Sequence, residues 1–380
     1  MNDETQPKPR RKRWKRILMW TVGVILIALI AWFEIAYWTS TNDCKLYSAA
    51  PTNPMKAIVY CDYGVPNLKF QEVEKPTPAD DQLLVKVRAA SVNPLDWHYV
   101  EGTPYFMRVI GVGLRKPKDT RLGVDFAGTV EAVGKNVTKF KPGDEVFGGR
   151  DGAFAEYLCV REPRAVALKP ANITFEQAAS VPIAAITALQ GVRDKGKVQA
   201  GQKVLINGAS GGVGTFAVQI AKSFGADVTG VCSTRNLDMV RSLGADHVID
   251  YTKEDFTKGS ERYDVIIDNV ANHSLLECRR ALKPSGIYVL IGGGSANEQG
   301  WIGPLINPIK AMLLSPFVSQ KMGMMLAELN QKDLTALADL MQAGKVTPVI
   351  DRTYKLSELP QAILYLEQGH ARGKVVIAVD

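Results

Sequence analysis

Residues 207–214 read Asn-Gly-Ala-Ser-Gly-Gly-Val-Gly, directly after a short apolar run at 203–207 and before a helical pattern at 212–224 that Gly225 ends. Glycine permits positive φ and lets a backbone come close to a ligand. The first turn of a helix presents unbonded N–H groups and the positive end of its dipole, which together attract a pyrophosphate. A tight turn would explain one glycine. Four of them between a strand and a helix point to a dinucleotide-binding loop, with Ser210, Gly211, Gly212, Val213 and Gly214 as the phosphate-binding residues.

The surrounding pattern agrees. Short apolar strands at 227–232, 247–249, 265–268 and 287–291 alternate with helical stretches, one of them (237–243) stopped at Gly244. This alternation predicts a doubly wound parallel sheet whose strand C-termini gather at one edge. The second strand ends in Val231-Cys232-Ser233-Thr234-Arg235, with no acid before Asp238. Sites for NAD place an acidic residue there to bond the ribose hydroxyls. Ser233 and Arg235 suit a 2′-phosphate instead, and Tyr251 lies where it could close over the same group. The expected cofactor is therefore NADPH; an Arg235 that is simply solvated is the alternative.

Residues 55–175 have a different texture. Val85-Lys86-Val87-Arg88-Ala89 alternates with period two, Lys141-Pro142-Gly143-Asp144 is a strong turn, and long helical patterns are few. An irregular, mostly β domain is expected. The C-terminal residues 345–380 leave the strand–helix rhythm, with strands at 349–354 and 374–379 around a helix at 358–368, and should return to that domain.

Residues 17–33 are an unbroken run of apolar and small residues; Glu34 interrupts it and Ile35-Ala36-Tyr37-Trp38 extends it. About 20 such residues cross a bilayer as a helix, and aromatic rings favour its two interfaces, where Trp20, Trp32, Tyr37 and Trp38 fall. A single-pass anchor over 17–38 is expected; a cleaved signal peptide is the rival, without an obvious small-residue cleavage pattern after Phe33. The formal charge of +7 sits largely ahead of this helix, where residues 1–16 hold seven basic and two acidic side chains. The body is thus close to neutral and shows no basic stripe with interleaved aromatics for nucleic acid. The basic flank predicts a cytoplasmic N-terminus, which sends the body to the far side, whereas a soluble nicotinamide cofactor favours a body facing the cytoplasm, the side preferred here. The five cysteines (44, 61, 159, 232 and 278) are odd in number and form no CxxC pair, so scattered thiols are expected rather than a disulfide framework or a cysteine zinc site.

The domain order expected from these features is a basic tail (1–16), a transmembrane helix (17–38), a polar linker (39–54), a mostly β catalytic domain (55–175), a dinucleotide-binding domain (176–344) and a return to the catalytic domain (345–380). From 55 to 380 the chain resembles the zinc-free quinone oxidoreductases of the medium-chain dehydrogenase/reductase superfamily, and their mitochondrial and chloroplast relatives. The resemblance rests on Ala90-Ser91-Val92-Asn93-Pro94-Leu95-Asp96, Gly123-Val124-Asp125-Phe126-Ala127-Gly128, Lys141-Pro142-Gly143-Asp144, the glycine loop, Gly244-Ala245-Asp246 and Ala371-Arg372-Gly373-Lys374-Val375-Val376. It implies an α/β fold, a GroES-like domain built from both ends of the body and a Rossmann domain between, with the active site in the cleft and a homodimer as the assembly. Zinc-dependent relatives carry Cys in place of Asn93 and Gly-His-Glu in place of Gly123-Val124-Asp125; both ligand types are missing, so no metal is expected.

Without a metal to hold an alkoxide, alcohol oxidation is disfavoured, and hydride transfer to an electron-poor acceptor needs less help. The expected activity is NADPH-dependent reduction of a quinone, with double-bond reduction of α,β-unsaturated aldehydes and ketones as the alternative and a non-catalytic, membrane-associated NADPH-binding protein as the reading from another class. The resemblance places Asn93 and Asp96 along the nicotinamide and substrate cleft and Tyr105 on the substrate side. It sets Asn269, Val270, Gly292 and Gly293 at the cofactor edge, and Lys374 at the cofactor or cleft. Against these stand an Asn-Pro turn at Asn93, an aromatic that merely packs at Tyr105 and a solvated strand-end lysine at Lys374. The apolar segment 301–326 is read either as core or dimer contact, or as a lip over the cleft that receives a lipophilic quinone.

Overall fold

The computed structural model describes residues 11–47, 49–292 and 319–379. Helix α1 (Arg11–Trp38) has 28 residues, which at 1.5 Å per residue is roughly 42 Å, enough to cross a bilayer. Its apolar side chains from Ile17 to Trp38 stand largely exposed, so nothing in the body covers them.

Residues 39–47 do not form the free polar linker their composition suggests. Cys44 is disulfide-bonded to Cys61, with the two Cα atoms 5.8 Å apart, while Cys159, Cys232 and Cys278 are free. This corrects the expectation of five scattered thiols. A separation of 17 residues matches no motif spacing, and the pair forms because the segment lies along the end of the first strand of the body. Closing a loop of that size contributes roughly 3 kcal/mol in the chain-entropy account.

The body has two sheets of opposite character. Strands β1 (Pro54–Tyr60) and β2 (Leu68–Glu74) form an antiparallel pair. Beside them a seven-stranded sheet joins β3 (Gln82–Val92), β4 (Asp125–Val133), β5 (Glu145–Gly149), β6 (Tyr157–Arg161) and β7 (Val166–Leu168) with β14 (Ile350–Lys355) and β15 (Lys374–Ala378). Within it β15 runs antiparallel to β3, pairing Val375 with Val92 and Ala378 with Ala89. This domain also holds a short helix: α2 (Pro94–Glu101) follows β3 directly, with proline in its first turn and the Asp96 carboxylate accepting from the Asn93 N–H at 2.7 Å.

Between β7 and β14 lies the second sheet. After α3 (Phe175–Ala179) and α4 (Pro182–Leu189) come β8 (Lys203–Asn207), α5 (Gly212–Ser223), β9 (Asp227–Cys232), α6 (Leu237–Ser242), β10 (His247–Asp250), β11 (Tyr263–Asp268), α7 (Leu275–Ala281), β12 (Leu282–Leu290) and β13 (Lys321–Met324). All six strands are parallel, in the order β10-β9-β8-β11-β12-β13, so the order reverses between β8 and β11. In such sheets the ligand crevice opens at that reversal, beyond the strand C-termini. Helices α8 (Gln331–Gln342) and α9 (Leu359–Glu367) complete the body.

Of the apolar segment 301–326, residues 301–318 lie outside the described residues. Its end is part of the sheet: Lys321–Met324 is the sixth parallel strand, with Met322 and Met325 buried in the core and Met324 and Leu326 exposed.

The disulfide yields a mass measurement. Protein isolated from its native cells, denatured and alkylated without reductant should gain label at three cysteines, and at five after reduction. Three without reduction would place the body in an oxidising compartment, against the cytoplasm-facing side expected from the cofactor, whereas five would mean that Cys44 and Cys61 are not paired in the cell and that the body sits in a reducing one.

Candidate active site

The glycine loop is built for closeness. Gly208 sits at φ +77°, and a Cβ there would lie 2.7 Å from Val270 Cγ2. A Cβ on Gly214 would meet the Gly208 carbonyl oxygen at 2.0 Å, so this glycine lets α5 pack on the turn that precedes it. Gly211 differs, since a Cβ there meets nothing nearer than the Gly208 oxygen at 3.5 Å. Gly211 is the N-cap of the 12-residue α5 and supplies no capping side chain, leaving the helix's first N–H groups open. Space above Gly211 and an uncapped helix start are what a pyrophosphate requires, so these residues fit a dinucleotide.

At the end of β9, Ser233 and Ser210 are joined by a residue that sequence reasoning passed over. Asn236 donates from Nδ2 to Ser210 Oγ at 3.0 Å and to Ser233 Oγ at 3.2 Å, while its buried Oδ1 has no protein partner. Its only signal in the chain is its place three residues after Ser233. Arg235 donates from Nη2 to the His370 carbonyl at 2.8 Å, tying the end of β9 to the C-terminal segment, and keeps further N–H donors for a ligand. Tyr251, after β10, is exposed beside them.

Across the crevice, Asn269 donates from Nδ2 to the Asn207 carbonyl at 2.9 Å, and its buried Oδ1 is unpartnered. Val270 is exposed. Gly292 passes so near that a Cβ would fall 2.5 Å from the Asn269 oxygen. Gly293 lies outside the described residues. Behind this edge, buried Asp268 accepts from Asn207 Nδ2 (2.9 Å), Tyr288 Oη (2.7 Å) and the N–H groups of Val270 and Ala271. The strand-end loop is thereby fixed.

The wall facing the glycine loop is a buried polar network. Lys374 begins β15, and its Nζ donates to Asn93 Oδ1 and lies 3.4 Å from Asp125 Oδ2. Asn93 Nδ2 and Ser91 Oγ each donate to that same oxygen at 2.9 Å. Asp125 Oδ1 accepts from the Ile183 N–H at 3.0 Å. Ser91 and Asp125 face each other across the β3–β4 ladder, so the sheet register sets this geometry. All five side chains (Ser91, Asn93, Asp96, Asp125 and Lys374) are buried. Lys374 is accordingly no solvated strand-end lysine. Burial lowers its pKa, opposed by Asp125 and Asp96. Burial also pushes the Asp96 carboxyl up to about 7, opposed by its bond from the Asn93 N–H.

The C-terminal segment carries this network to the glycine loop. Gly373 donates its N–H to the Ser210 carbonyl at 2.9 Å and forms an isolated bridge with Gly211. The Lys374 stem then passes beneath α5, its Cδ lying 3.1 Å from where a Gly212 Cβ would be. Asn93, Asp96 and Lys374 thus come together with the glycine loop; Tyr105 does not join that buried cluster. It is 41% exposed, with the Arg108 guanidinium 5.1 Å from its ring. Nearby, under residues 107–112, a cavity of about 230 Å³ is lined by Tyr60, Tyr99, Met107, Gly111, Val112 and Asp119. Among the described residues, no group of three or more His, Cys, Asp or Glu side chains could hold a metal ion.

Two family models match the chain: an alcohol dehydrogenase GroES-like domain over residues 79–171 and a zinc-binding dehydrogenase over 243–377. The chain is 36% identical to the 2-methylene-furan-3-one reductase of Solanum lycopersicum over 341 residues, 85% of this chain and 79% of that protein. It is also 36% identical to the chloroplastic NADPH-dependent alkenal/one oxidoreductase of Arabidopsis thaliana, with the same coverage. Among solved structures, the quinone oxidoreductase from Coxiella burnetii superposes with a TM-score of 0.75 at 31% identity, covering 86% of this chain and all of that one.

Two tests follow. Gly214→Ala should lose about 1–3 kcal/mol in denaturant unfolding through overpacking. Gly211→Ala should unfold like the parent yet bind the dinucleotide at least about tenfold more weakly, a cost of about 1.4 kcal/mol; equal effects on stability would refute the difference read here. For Asp96, a folded-state pKa raised from 3.8 to about 7 means that its contribution to stability is complete below the unfolded value and is lost as pH rises through about 7. Asp96→Asn should therefore flatten the fall in Tm between acidic and mildly alkaline pH; parallel Tm profiles for parent and variant would contradict it.

Proposed function

This chain belongs to the medium-chain dehydrogenase/reductase superfamily, and from that premise we propose that it is an NADPH-dependent reductase of acceptors whose carbonyl is conjugated, quinones or α,β-unsaturated ketones and aldehydes. The observation that carries the reading is the buried Lys374–Asn93–Asp125 network, delivered directly beneath the glycine loop by Gly373. The curated relatives named above act, by their names, on a furanone and on alkenals and alkenones, and the solved neighbour on quinones. These acceptors share one demand: once hydride reaches carbon, negative charge gathers on the carbonyl oxygen.

The nicotinamide, when bound, supplies the hydride. The protein's part is positioning and charge. Ser210, Gly211, Gly212, Val213 and Gly214 hold the pyrophosphate at the start of α5. Ser233, Arg235 and Tyr251 take the 2′-phosphate, with Asn236 orienting both serine hydroxyls. Asn269, Val270 and Gly292 keep the far edge of the crevice close to the cofactor. Lys374 holds an ammonium in a water-poor site, where a fixed positive charge stabilises a developing oxyanion far more than it would in water. Asp125 keeps that ammonium charged against the burial that lowers its pKa. Asp96 fixes the start of α2, and with it Asn93. Tyr105, at the surface and apart from this cluster, is read on the substrate side from the resemblance alone. We further read α1 as a membrane anchor.

The test is NADPH oxidation by the intact protein against a panel of quinones and enones, with NADH as control. Turnover with these acceptors and a preference for NADPH are expected. Arg235→Ala should raise KM for NADPH at least about tenfold, a loss within the range for hydrogen bonds to charged groups, and leave KM for NADH nearly unchanged. Tight NADPH binding without turnover on any acceptor would return the protein to the non-catalytic class, and equal losses for both cofactors would remove Arg235 from the phosphate.

A further inference from the structure

Helix α1 does not hang from the body on a loose tether. Its last residue, Trp38, has the Arg115 guanidinium 4.9 Å from its ring. Four residues on, Asn42 donates from Nδ2 to the Cys61 carbonyl at 2.8 Å; Cys44 is bonded to Cys61; and the Tyr47 hydroxyl lies 2.8 Å from Thr120 Oγ1. Four extended residues reach at most about 14 Å, so the helix must leave the body beside the segment 105–120.

That segment is unlike the rest of a nearly neutral body. Between 105 and 121 it carries Arg108, Arg115, Lys116, Lys118 and Arg121 against the single acid Asp119. Arg115 and Lys118 are exposed, and so is Val109, at 47%. Exposed cations and an exposed apolar side chain on one short segment at the exit of an apolar helix match the chemistry of an anionic headgroup layer.

We propose that residues 105–118 form a second membrane contact, docking on the anionic phospholipid headgroups of the bilayer that α1 enters. The proposal rests on the reading of α1 as a membrane anchor. Arg115 and Lys118 supply the attraction, within the Debye length of about 8 Å at physiological salt, and Val109 enters the headgroup boundary. The disulfide and its neighbouring contacts hold the surface at the correct height. The cavity lined by Met107, Gly111 and Val112 then lies just beneath the headgroups, where an acceptor that partitions into lipid is most concentrated.

Amide hydrogen exchange on the full chain tests this, in nanodiscs of phosphatidylcholine alone and of phosphatidylcholine with phosphatidylserine. Exchange across 105–118 should slow by roughly fivefold when phosphatidylserine is present, as one or two surface cations allow. The slowing should vanish in high salt and in the Arg115→Glu, Lys118→Glu double variant, which should still oxidise NADPH with a water-soluble acceptor at the parent rate. The salt arm needs no variant and so holds even if the double variant misfolds. Protection of α1 in both nanodiscs with no lipid or salt dependence at 105–118 would overturn the docking surface and leave the anchor standing. A chain that fails to enter nanodiscs, with α1 unprotected, would overturn the anchor and the docking surface together.

Discussion

The pairing of β15 with β3, extended by the bond from Gly373 to the Ser210 carbonyl, is the constraint on which the site depends. One strand, β15, belongs to the mostly β sheet along its length and touches the glycine loop at its start. Gly373 makes this possible: at φ +91° it adopts a backbone that side chains resist, and a Cβ would fall 2.4 Å from the Val349 oxygen. Because the next residue is Lys374, the same turn that locks the two domains sets the ammonium between them.

Burying that ammonium is costly in isolation and tolerable only with its partners. Asp125 supplies the charge, Asn93 the second acceptor, and Ser91 and the Ile183 N–H complete the carboxylate. Removing Lys374 or Asp125 alone would strand a buried charge, a loss on the order of 3–5 kcal/mol. A natural chain whose only need was stability would fill this space with apolar residues at similar or lower cost. The network fits the proposed reductase as a fixed field, buried between the glycine loop and α2, of the kind that stabilises charge developing in a reaction.

The parallel sheet was legible almost strand by strand because buried parallel strands are short continuous apolar runs, and β8 and β9 stand where those runs predict. The form of the glycine loop was legible for a related reason: its strand-to-helix turn needs glycine at Gly208 and Gly214, where a Cβ would clash, so its geometry is written in its residue types. What escaped was nonlocal or disguised. Asp125 meets Ser91 only through the register of β3 and β4. Helix α2 begins at a proline that reads as a turn. The Cys44–Cys61 bond joins a presumed linker to a strand end, and neither cysteine sits in a recognisable spacing. Asn236 works through a buried amide, with nothing in a single chain to distinguish it from any other asparagine.

The segment after α1 shows how composition can mislead about rigidity. Thr, Ser, Asn and Asp at 39–43 have the makeup of a flexible connector, and a flexible connector would let the body turn freely above a membrane. Here those same polar groups are used locally: Thr39 Oγ1 bonds back to the Ile35 carbonyl, Asn42 reaches the end of β1, and the disulfide follows two residues later. Ordering this stretch costs conformational entropy, and the covalent bond offsets much of it by restricting the unfolded chain as well. A helix fixed to its body by such short contacts transmits orientation: if α1 is the proposed anchor, whatever surface the body shows beside Trp38 is the surface it would hold towards the membrane. The cationic segment 105–118 occupies that place.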